Sequence, residues 1–234
     1  MADETRIVIL GAAGRMGRML VRAAAENMRG CRLVGGADRP GSSDLDRDLG
    51  ELAGIGGLGL RLTDDVPRLL AEADVGIDFT LPDAAVAHAA AAAESGTGLV
   101  IGTTGLSPEQ LAAIHAAAER CAIVLAPNMS VGVTLLARLV EEAARVLDES
   151  YDIEILEMHH RQKIDAPSGT ALGLGQAAAR GRGVALEEVW VKARDGVTGR
   201  RQSGTIGFAT LRGGDVVGDH SVIFAAEGER IELT

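Results

Sequence analysis

Aromatic side chains are scarce in this 234-residue sequence, which contains one tryptophan, one tyrosine and three phenylalanines. Because hydrophobic residues still make up 47% of the chain, the core must be built mainly from aliphatic side chains. The 31 glycines and the long alanine runs favour helices packed closely on sheets. This length is enough for one large domain or for two modest domains with real cores.

Cysteine, positive charge and long apolar runs are also in short supply. Cys31 and Cys121 lie far apart without metal-ligand spacing, so we predict two small core residues and no need for an oxidising compartment. A net charge of −10 argues against nucleic acids and anionic membranes as partners. Neither a membrane-spanning run nor a signal-peptide pattern is found, which predicts a soluble, cytoplasmic protein.

The N-terminal half reads as a nucleotide-binding βαβ unit. A short apolar strand over 6–10 leads into a glycine turn, a helix over 16–25 and a second strand over 31–37. In such a unit the backbone N–H groups at the helix start hold a pyrophosphate. The spacing G-x-x-G-x-x-G is a variant of the common fingerprint. The predicted cofactor-binding residues of the turn are Gly11, Ala12, Ala13, Gly14, Arg15 and Met16.

The residues after the second strand bear on which dinucleotide is bound. Asp38 stands near the offset expected for an acid on the adenosine ribose, which favours NAD. Arg39 and Arg15 are able to pair with the 2′-phosphate of NADP. Arg39 equally fits an exposed polar turn. The sequence is therefore compatible with NADH or NADPH.

Three further strands, over 75–80, 98–101 and 122–125, alternate with helices over 83–95 and 108–121. Ligands of an open parallel sheet lie at the carboxyl ends of its strands. Two strand ends are therefore predicted to approach the nicotinamide. Their residues are Gly102, Thr103 and Thr104 at one end, and Ala126, Pro127, Asn128 and Met129 at the other.

The pattern changes near residue 130. A long amphipathic helix covers 135–147, and an alternating strand over 151–158 and a helix over 171–179 follow. Further strands are predicted over 189–193, 206–211, 222–226 and 229–234. We therefore predict an α/β protein, with a Rossmann-type parallel sheet in a dinucleotide-binding domain (1–129). A second, α+β domain (130–234) would bind substrate and serve oligomerisation.

The segment 157–171 combines two histidines, an arginine and a lysine with a Pro-Ser-Gly-Thr turn and a helical pattern. The N–H groups of Gly169 and Thr170 at the helix start form an anion site, with Ser168 as the expected cap. Cationic and protonatable groups just ahead of it suit a small, multiply anionic substrate that receives a proton. A solvated loop before a helix is the plainer interpretation. Zinc is not expected, because adjacent histidines on a strand point to opposite faces.

Several motifs together resemble the 4-hydroxy-tetrahydrodipicolinate reductase (dihydrodipicolinate reductase) family over essentially the whole chain. They are GAAGRMG (11–17), GTTG (102–105), APNMSVGV (126–133), HHRQKIDAPSGT (159–170), GTIGF (204–208) and GDH (218–220). The resemblance implies a Rossmann domain followed by a mixed-sheet domain that builds a homotetramer. It also implies the NAD(P)H-dependent reduction of a cyclic unsaturated dicarboxylate on the route to diaminopimelate and lysine. It also implies a further C-terminal segment that returns to the nucleotide domain, whereas this sequence ends at Thr234.

Residue roles follow from the same resemblance. His159 resembles the acid/base residue and Lys163 the proton donor. His160, Lys163, Gly169 and Thr170 resemble the groups that hold the substrate carboxylates, although His160 faces away from His159 unless the strand ends there. Asp38 stands where many relatives have glutamate.

Two alternatives remain open, and other histidines receive no role. The alternatives are another Rossmann dehydrogenase acting on an amino acid or semialdehyde, and a non-catalytic NAD(P)-binding redox sensor. His88 and His115 are interpreted as surface or packing residues, and His220 is assigned no function.

Overall fold

The structure is a computed structural model that describes residues 4–27 and 29–234. The chain divides into two compact units, Met1–Pro127 and Asn128–Thr234. Across the described residues, no helix has the length and apolar character needed to cross a membrane.

The first unit alternates strands and helices. Its elements are β1 (Thr5–Leu10), α1 (Arg15–Asn27), β2 (Cys31–Ala37), α2 (Leu49–Ala53), β3 (Leu62–Thr63), α3 (Val66–Ala71), β4 (Val75–Asp78), α4 (Pro82–Ser95), β5 (Gly98–Ile101), α5 (Pro108–Ala118) and β6 (Ile123–Leu125). The strands form a parallel sheet in the order β3-β2-β1-β4-β5-β6. This is the Rossmann strand order, so the predicted parallel sheet is confirmed.

The core of this sheet is aliphatic, as the composition requires. Central strand β1 buries Val8, Ile9 and Leu10 almost completely, and alanines of α4 pack onto the sheet. The prediction for the cysteines is only partly right. Cys31 and Cys121 are free and only half-buried at the margins of the core, with Cys31 at the start of β2 and Cys121 between α5 and β6.

The second unit begins with a long helix and continues as a mixed sheet. Its elements are α6 (Val131–Val146), β7 (Asp152–His159), α7 (Gly169–Arg182), α8 (Leu186–Val189), β8 (Trp190–Val191), β9 (Ile206–Arg212), β10 (Asp219–Ala226) and β11 (Glu229–Leu233). The strand order is β11-β10-β7-β9-β8, with β7 parallel to β9 and antiparallel to β10. The mixed sheet predicted for this half is therefore confirmed.

Strand β7 is the centre of this sheet and carries the sequence that positions the site. Its residues alternate between half-buried and buried, so Ile153, Ile155, Glu157 and His159 share the inward face. Ile153 and Ile155 pack with α6 and α7 in the core. The last two inward residues are polar, which requires partners inside the protein.

Candidate active site

The glycine turn between β1 and α1 has the geometry of a nucleotide cradle. Gly11 has a φ of +73°, a conformation that L side chains rarely adopt. A Cβ atom on Gly17 would lie 2.1 Å from the Gly11 carbonyl oxygen, so α1 approaches the turn only because residue 17 has no side chain. Close helix–strand contact of this kind is the role of the last glycine of a dinucleotide fingerprint.

The backbone N–H groups of this turn divide into two sets. Ala12 donates to the Ala37 carbonyl at 2.9 Å and Gly14 to the Gly11 carbonyl at 3.0 Å, so these two predicted residues hold the turn together. Among the described residues, no acceptor is found for the N–H groups of Ala13, Arg15 and Met16. These three predicted residues are therefore available to an anion.

A cleft of about 430 Å³ opens beside the turn, within the usual size range of small-molecule sites. Four predicted residues line it: Gly11, Gly14, Asp38 and Arg39. Asp38 follows β2, and its Oδ1 accepts the Arg39 backbone N–H at 2.7 Å. The acid predicted for the ribose and the neighbouring cation are thus both at the cleft, and the residues present fit a dinucleotide.

His88 also lines this cleft, a position that the helical pattern did not predict. Its Nδ1 lies 2.7 Å from Oδ2 of Asp78, a fully buried residue at the end of β4. Oδ1 of the same carboxyl accepts the backbone N–H and the hydroxyl of Thr80. His115, in contrast, is exposed on α5.

The other predicted strand ends take different environments. Thr103 is buried and its hydroxyl donates to the Thr80 carbonyl at 3.0 Å, while Thr104 is exposed. A Cβ atom on Gly102 would lie 2.1 Å from the Phe79 ring. The predicted residues that follow β6 are Ala126, which donates to the Ile101 carbonyl, and the exposed Pro127 and Met129.

Asn128 belongs to the second unit and contacts a predicted substrate residue. Its Nδ2 donates to Thr170 Oγ1 at 3.0 Å, and its Oδ1 accepts the Ser130 backbone N–H at 2.8 Å. The two bonds fix the orientation of the amide. The structure therefore places Asn128, predicted for the cofactor, beside a residue predicted for the substrate.

Helix α7 begins as the sequence predicts. Ser168 is its N-cap, with Oγ accepting the Ala171 N–H at 3.1 Å and the carbonyl accepting the Leu172 N–H at 2.9 Å. Among the described residues, no acceptor is found for the N–H groups of Gly169 and Thr170. The space around an added Cβ at Gly169 is open. These two amides are therefore free to receive an anion.

Glu157 and His159 form a buried pair on the inward face of β7. His159 Nδ1 lies 2.5 Å from Glu157 Oε2, and the residues are 8% and 1% exposed. The carboxylate also accepts two parallel bonds from the Arg212 guanidinium, at 2.8 Å each, and further bonds from the Ser168 N–H and the Thr210 hydroxyl. An arginine fork of this kind is a strong partner for a carboxylate.

These contacts determine the protonation of Glu157. Burial raises its pKa, but the hydrogen bonds from Arg212 and His159 outweigh burial and lower the pKa to about 2. The ionised carboxylate only accepts hydrogen bonds, so His159 must carry a hydrogen on Nδ1. Nε2 is then the nitrogen of His159 that is left for acid/base chemistry.

His160 and Lys163 lie in the loop that follows. Strand β7 ends at His159, so the condition for a separate role of His160 is met. His160 Nδ1 is buried, and no partner for it is found in the part of the chain that the structure describes. Lys163 Nζ lies 2.8 Å from Asp165 Oδ1. Burial raises the pKa of Asp165, but the hydrogen bond from Lys163 leads to a net lowering.

His220 is a further member of this cluster that the sequence did not reveal. Its Nε2 lies 3.0 Å from Ser168 Oγ, and its ring meets the His159 ring edge to face, with 5.0 Å between centroids. Burial lowers the pKa of His220, and His159 lowers it further. The contacts with Ser168 and His159 cross 52 and 61 positions of the chain, so no local pattern predicts them.

Two family models match this chain. The model described as "Dihydrodipicolinate reductase, N-terminus" covers residues 5–129, and "Dihydrodipicolinate reductase, C-terminus" covers residues 132–234. The curated 4-hydroxy-tetrahydrodipicolinate reductase of Alkalilimnicola ehrlichii is 56% identical, with 98% of this chain and 86% of the relative covered. That of Afipia carboxidovorans is 57% identical, with 99% and 85% covered.

Two solved structures are similar to this chain, one of them a member of the same family. A dipicolinate-bound dihydrodipicolinate reductase from Paenisporosarcina sp. TG-14 is similar with a TM-score of 0.71 and 26% identity, covering 98% of this chain and 86% of its own. An apo scyllo-inositol dehydrogenase from Lactobacillus casei reaches a TM-score of 0.63 at 10% identity, covering 99% and 75%. At that identity the second likeness concerns the fold alone.

Proposed function

Because the chain belongs to the dihydrodipicolinate reductase family, we propose that the start of α7 and the Glu157–His159 pair form its substrate site. The chain reduces 4-hydroxy-tetrahydrodipicolinate with NADH or NADPH, a step of diaminopimelate and lysine biosynthesis. The observation that carries the proposed site is the pairing of His159 Nδ1 with a buried carboxylate that also binds the Ser168 N–H. The Glu157 carboxylate therefore binds both the acid/base histidine and the residue that caps the anion-binding helix.

The alternative functions are not favoured. Relatives that share 56% and 57% identity over nearly the whole chain are reductases, whereas the inositol dehydrogenase shares only the fold. A non-catalytic redox sensor is expected to lack the acid/base histidine or the lysine. His159 and Lys163 are both present.

Substrate binding is assigned to α7 and the preceding loop. One carboxylate is held by the N–H groups of Gly169 and Thr170, where the positive end of the helix dipole adds to two hydrogen bonds. Lys163 and His160 hold the dianion from the loop side. On binding, Lys163 leaves Asp165 and pairs with a substrate carboxylate. The ammonium group therefore keeps a negatively charged partner.

Proton delivery is assigned to His159. When bound, the reduced nicotinamide supplies the hydride. The acceptor then carries negative charge, which a proton must neutralise. His159 donates that proton from Nε2 and keeps its Nδ1 hydrogen on Glu157, so the imidazole becomes neutral without turning. The ionised Glu157 stabilises the positive imidazolium that precedes the transfer. Lys163 assists with its ammonium group.

Cofactor binding is assigned to the predicted residues of the first unit and to Asn128 and Met129. The free N–H groups of Ala13, Arg15 and Met16 would hold the pyrophosphate. Asp38 would bind a ribose hydroxyl, and Arg39 would approach the 2′-phosphate when NADPH is used. The strand ends at 102–104 and 126–129 would face the nicotinamide.

A homotetramer and a cytoplasmic location complete the proposal. The homotetramer is what the family resemblance implies, and the location is the one predicted from the sequence pattern. Assembly is further supported by apolar side chains on the face of the C-terminal sheet opposite α6 and α7. Leu156, Met158 and Ile223 are half-buried there, and Leu211 is 47% exposed. Light scattering coupled to size-exclusion chromatography measures the molar mass in solution and hence the number of subunits.

Substrate-dependent oxidation of reduced cofactor tests the proposed function. The heterocycle is generated in situ from pyruvate and aspartate semialdehyde, and oxidation of NADH and NADPH is followed separately after the protein is added. We expect oxidation of at least one cofactor that depends on both the heterocycle and the protein. Failure to oxidise either would contradict the function.

Replacing Lys163 with methionine should lower kcat/KM for the heterocycle by about 10- to 100-fold. The change keeps most of the length and the apolar character of the side-chain stem but removes the charge that pairs with a carboxylate. A hydrogen bond to a charged group contributes about 1.5–3 kcal/mol. The measurement is initial rates at saturating cofactor.

The matched control is Lys192→Met. Lys192 is the other lysine of the sequence, and its ammonium lies over the Trp190 ring. We expect rates within about twofold of wild type for this variant. Equal losses in the two variants would remove Lys163 from the substrate site.

A further inference from the structure

His220 occupies a position from which it contacts both halves of the proposed substrate site. It is the second residue of β10 and pairs with Glu157 across the antiparallel ladder. Its ring meets the His159 ring at an interplanar angle of 77°. A Cβ atom on Gly218 would lie 2.8 Å from His159 Nε2, so glycine at 218 leaves the acid/base nitrogen unobstructed. The edge-to-face contact with His220 supports the His159 ring from the side.

The second contact of His220 determines where the Ser168 hydroxyl hydrogen points. Ser168 is 2% exposed, and its Oγ already accepts the Ala171 N–H as the cap of α7. Burial and His159 both lower the pKa of His220, which favours the neutral ring. Its Nε2 lies 3.0 Å from Ser168 Oγ, and in the tautomer with the hydrogen on Nδ1 this nitrogen accepts the Ser168 hydroxyl hydrogen. The single hydroxyl hydrogen is therefore held inside the protein.

Four residues close into a ring of contacts. Glu157 accepts from His159 through Oε2 and from the Ser168 N–H through Oε1. His220 contacts the His159 ring and binds the Ser168 hydroxyl. Glu157 therefore holds the backbone of Ser168 and His220 holds its side chain. Both Glu157 and His220 also contact His159. The ring joins the acid/base histidine to the helix start that has free amides.

We propose that His220 is a positioning residue of the reductase, which holds His159 and the start of α7 at a fixed distance and orientation. The inference rests on the proposed function and extends it, since no atom of His220 needs to touch substrate. The His220 side chain has two roles. Its Nε2 holds Ser168 at the start of the carboxylate-binding helix, and its ring packs against His159 and holds the proton donor in place.

Two substitutions separate these tasks. His220→Phe keeps an aromatic ring against His159 but leaves the Ser168 hydroxyl without its acceptor, so we expect the Kd for pyridine-2,6-dicarboxylate to rise about tenfold with kcat within about twofold of wild type. His220→Gln keeps an acceptor near the Nε2 position but removes the ring. We expect an unchanged Kd and a kcat lowered about fivefold. His115→Phe on the exposed face of α5 is the control.

Calorimetric titration with the dicarboxylate gives Kd, cofactor oxidation gives kcat, and thermal unfolding establishes that each variant is folded. A raised Kd in His220→Phe together with a lowered kcat in His220→Gln supports the proposal. Wild-type values for both variants, or equal losses of Kd and kcat in both, would overturn it, because a merely structural residue does not separate the two quantities.

Nitrogen-15 spectra of histidine-labelled wild-type protein give a readout that needs neither turnover nor a folded variant. At neutral pH we expect His220 to be protonated on Nδ1 and unprotonated on Nε2. The opposite tautomer, or a doubly protonated ring, would overturn the proposal. A wild-type protein with this tautomer but without reductase activity would contradict the proposed function alone.

Discussion

Replacing His159 with asparagine should lower kcat by about 10²- to 10⁴-fold, the usual contribution of a general acid. The asparagine amide is able to donate to Glu157 from near the position of Nδ1, so the buried carboxylate keeps a partner. It has no nitrogen that delivers a proton at neutral pH. The measurement is kcat for heterocycle-dependent oxidation, with both substrates saturating.

The KM for the cofactor should change little in this variant, because His159 is not among the residues assigned to cofactor binding. His115→Asn, the same substitution on an exposed histidine of α5, should leave kcat within about twofold of wild type. A His159→Asn enzyme that retained a third or more of wild-type kcat would refute proton delivery by His159.

Replacing Glu157 with glutamine should lower the free energy of unfolding at pH 7 by about 3 kcal/mol. The substitution breaks a buried pair and leaves the Arg212 guanidinium without its charged partner, which is among the more costly single changes in proteins. The pKa of the Glu157 carboxyl, about 2 in the folded protein against the ordinary 4.5, gives a similar magnitude. Urea denaturation measures the difference.

The pH dependence of this difference follows from the direction of the shift. Because folding depresses the pKa of Glu157, its stabilisation is fully present above pH 4.5 and is lost as the pH falls towards about 2. The gap between wild type and variant should therefore narrow on acidification below pH 4.5. A gap that stays constant as the pH falls below 4.5 would contradict the assigned ionisation of Glu157.

An exposed pair provides the matched control for this prediction. Glu142 lies on α6, is 60% exposed and pairs with Arg145 one turn later. Glu142→Gln should change the free energy of unfolding by less than about 1 kcal/mol, because exposed ion pairs contribute little.

Local periodicity predicted the elements whose side chains pack regularly. The strands over 31–37 and 98–101 match β2 and β5 residue for residue. It failed between residues 49 and 71, where α2, β3 and α3 are short. There the carboxylate of Asp48 accepts N–H groups of Gly50, Leu58 and Gly59, so contacts across the loop, rather than a repeating pattern, hold the chain.

The same distinction applies to the site. The histidine–lysine segment and the cap of α7 are local, and the sequence identified them. The partners of Glu157 and Ser168 come from β9 and β10, more than 50 positions away, so Arg212 and His220 were not predicted. One signal was present in the sequence. Glu157 and His159 continue the inward face of a strand that begins with Ile153 and Ile155, and polar residues on a core-facing side require buried partners.

A crystal structure of this chain with pyridine-2,6-dicarboxylate is the most direct test of the central claim, which is that one carboxylate-anchored cluster both binds the substrate and protonates it. We predict a carboxylate on the N–H groups of Gly169 and Thr170, Lys163 released from Asp165, and the ligand ring within hydrogen-bonding reach of His159 Nε2. A ligand bound elsewhere, with the two amides of α7 unoccupied, would contradict the account.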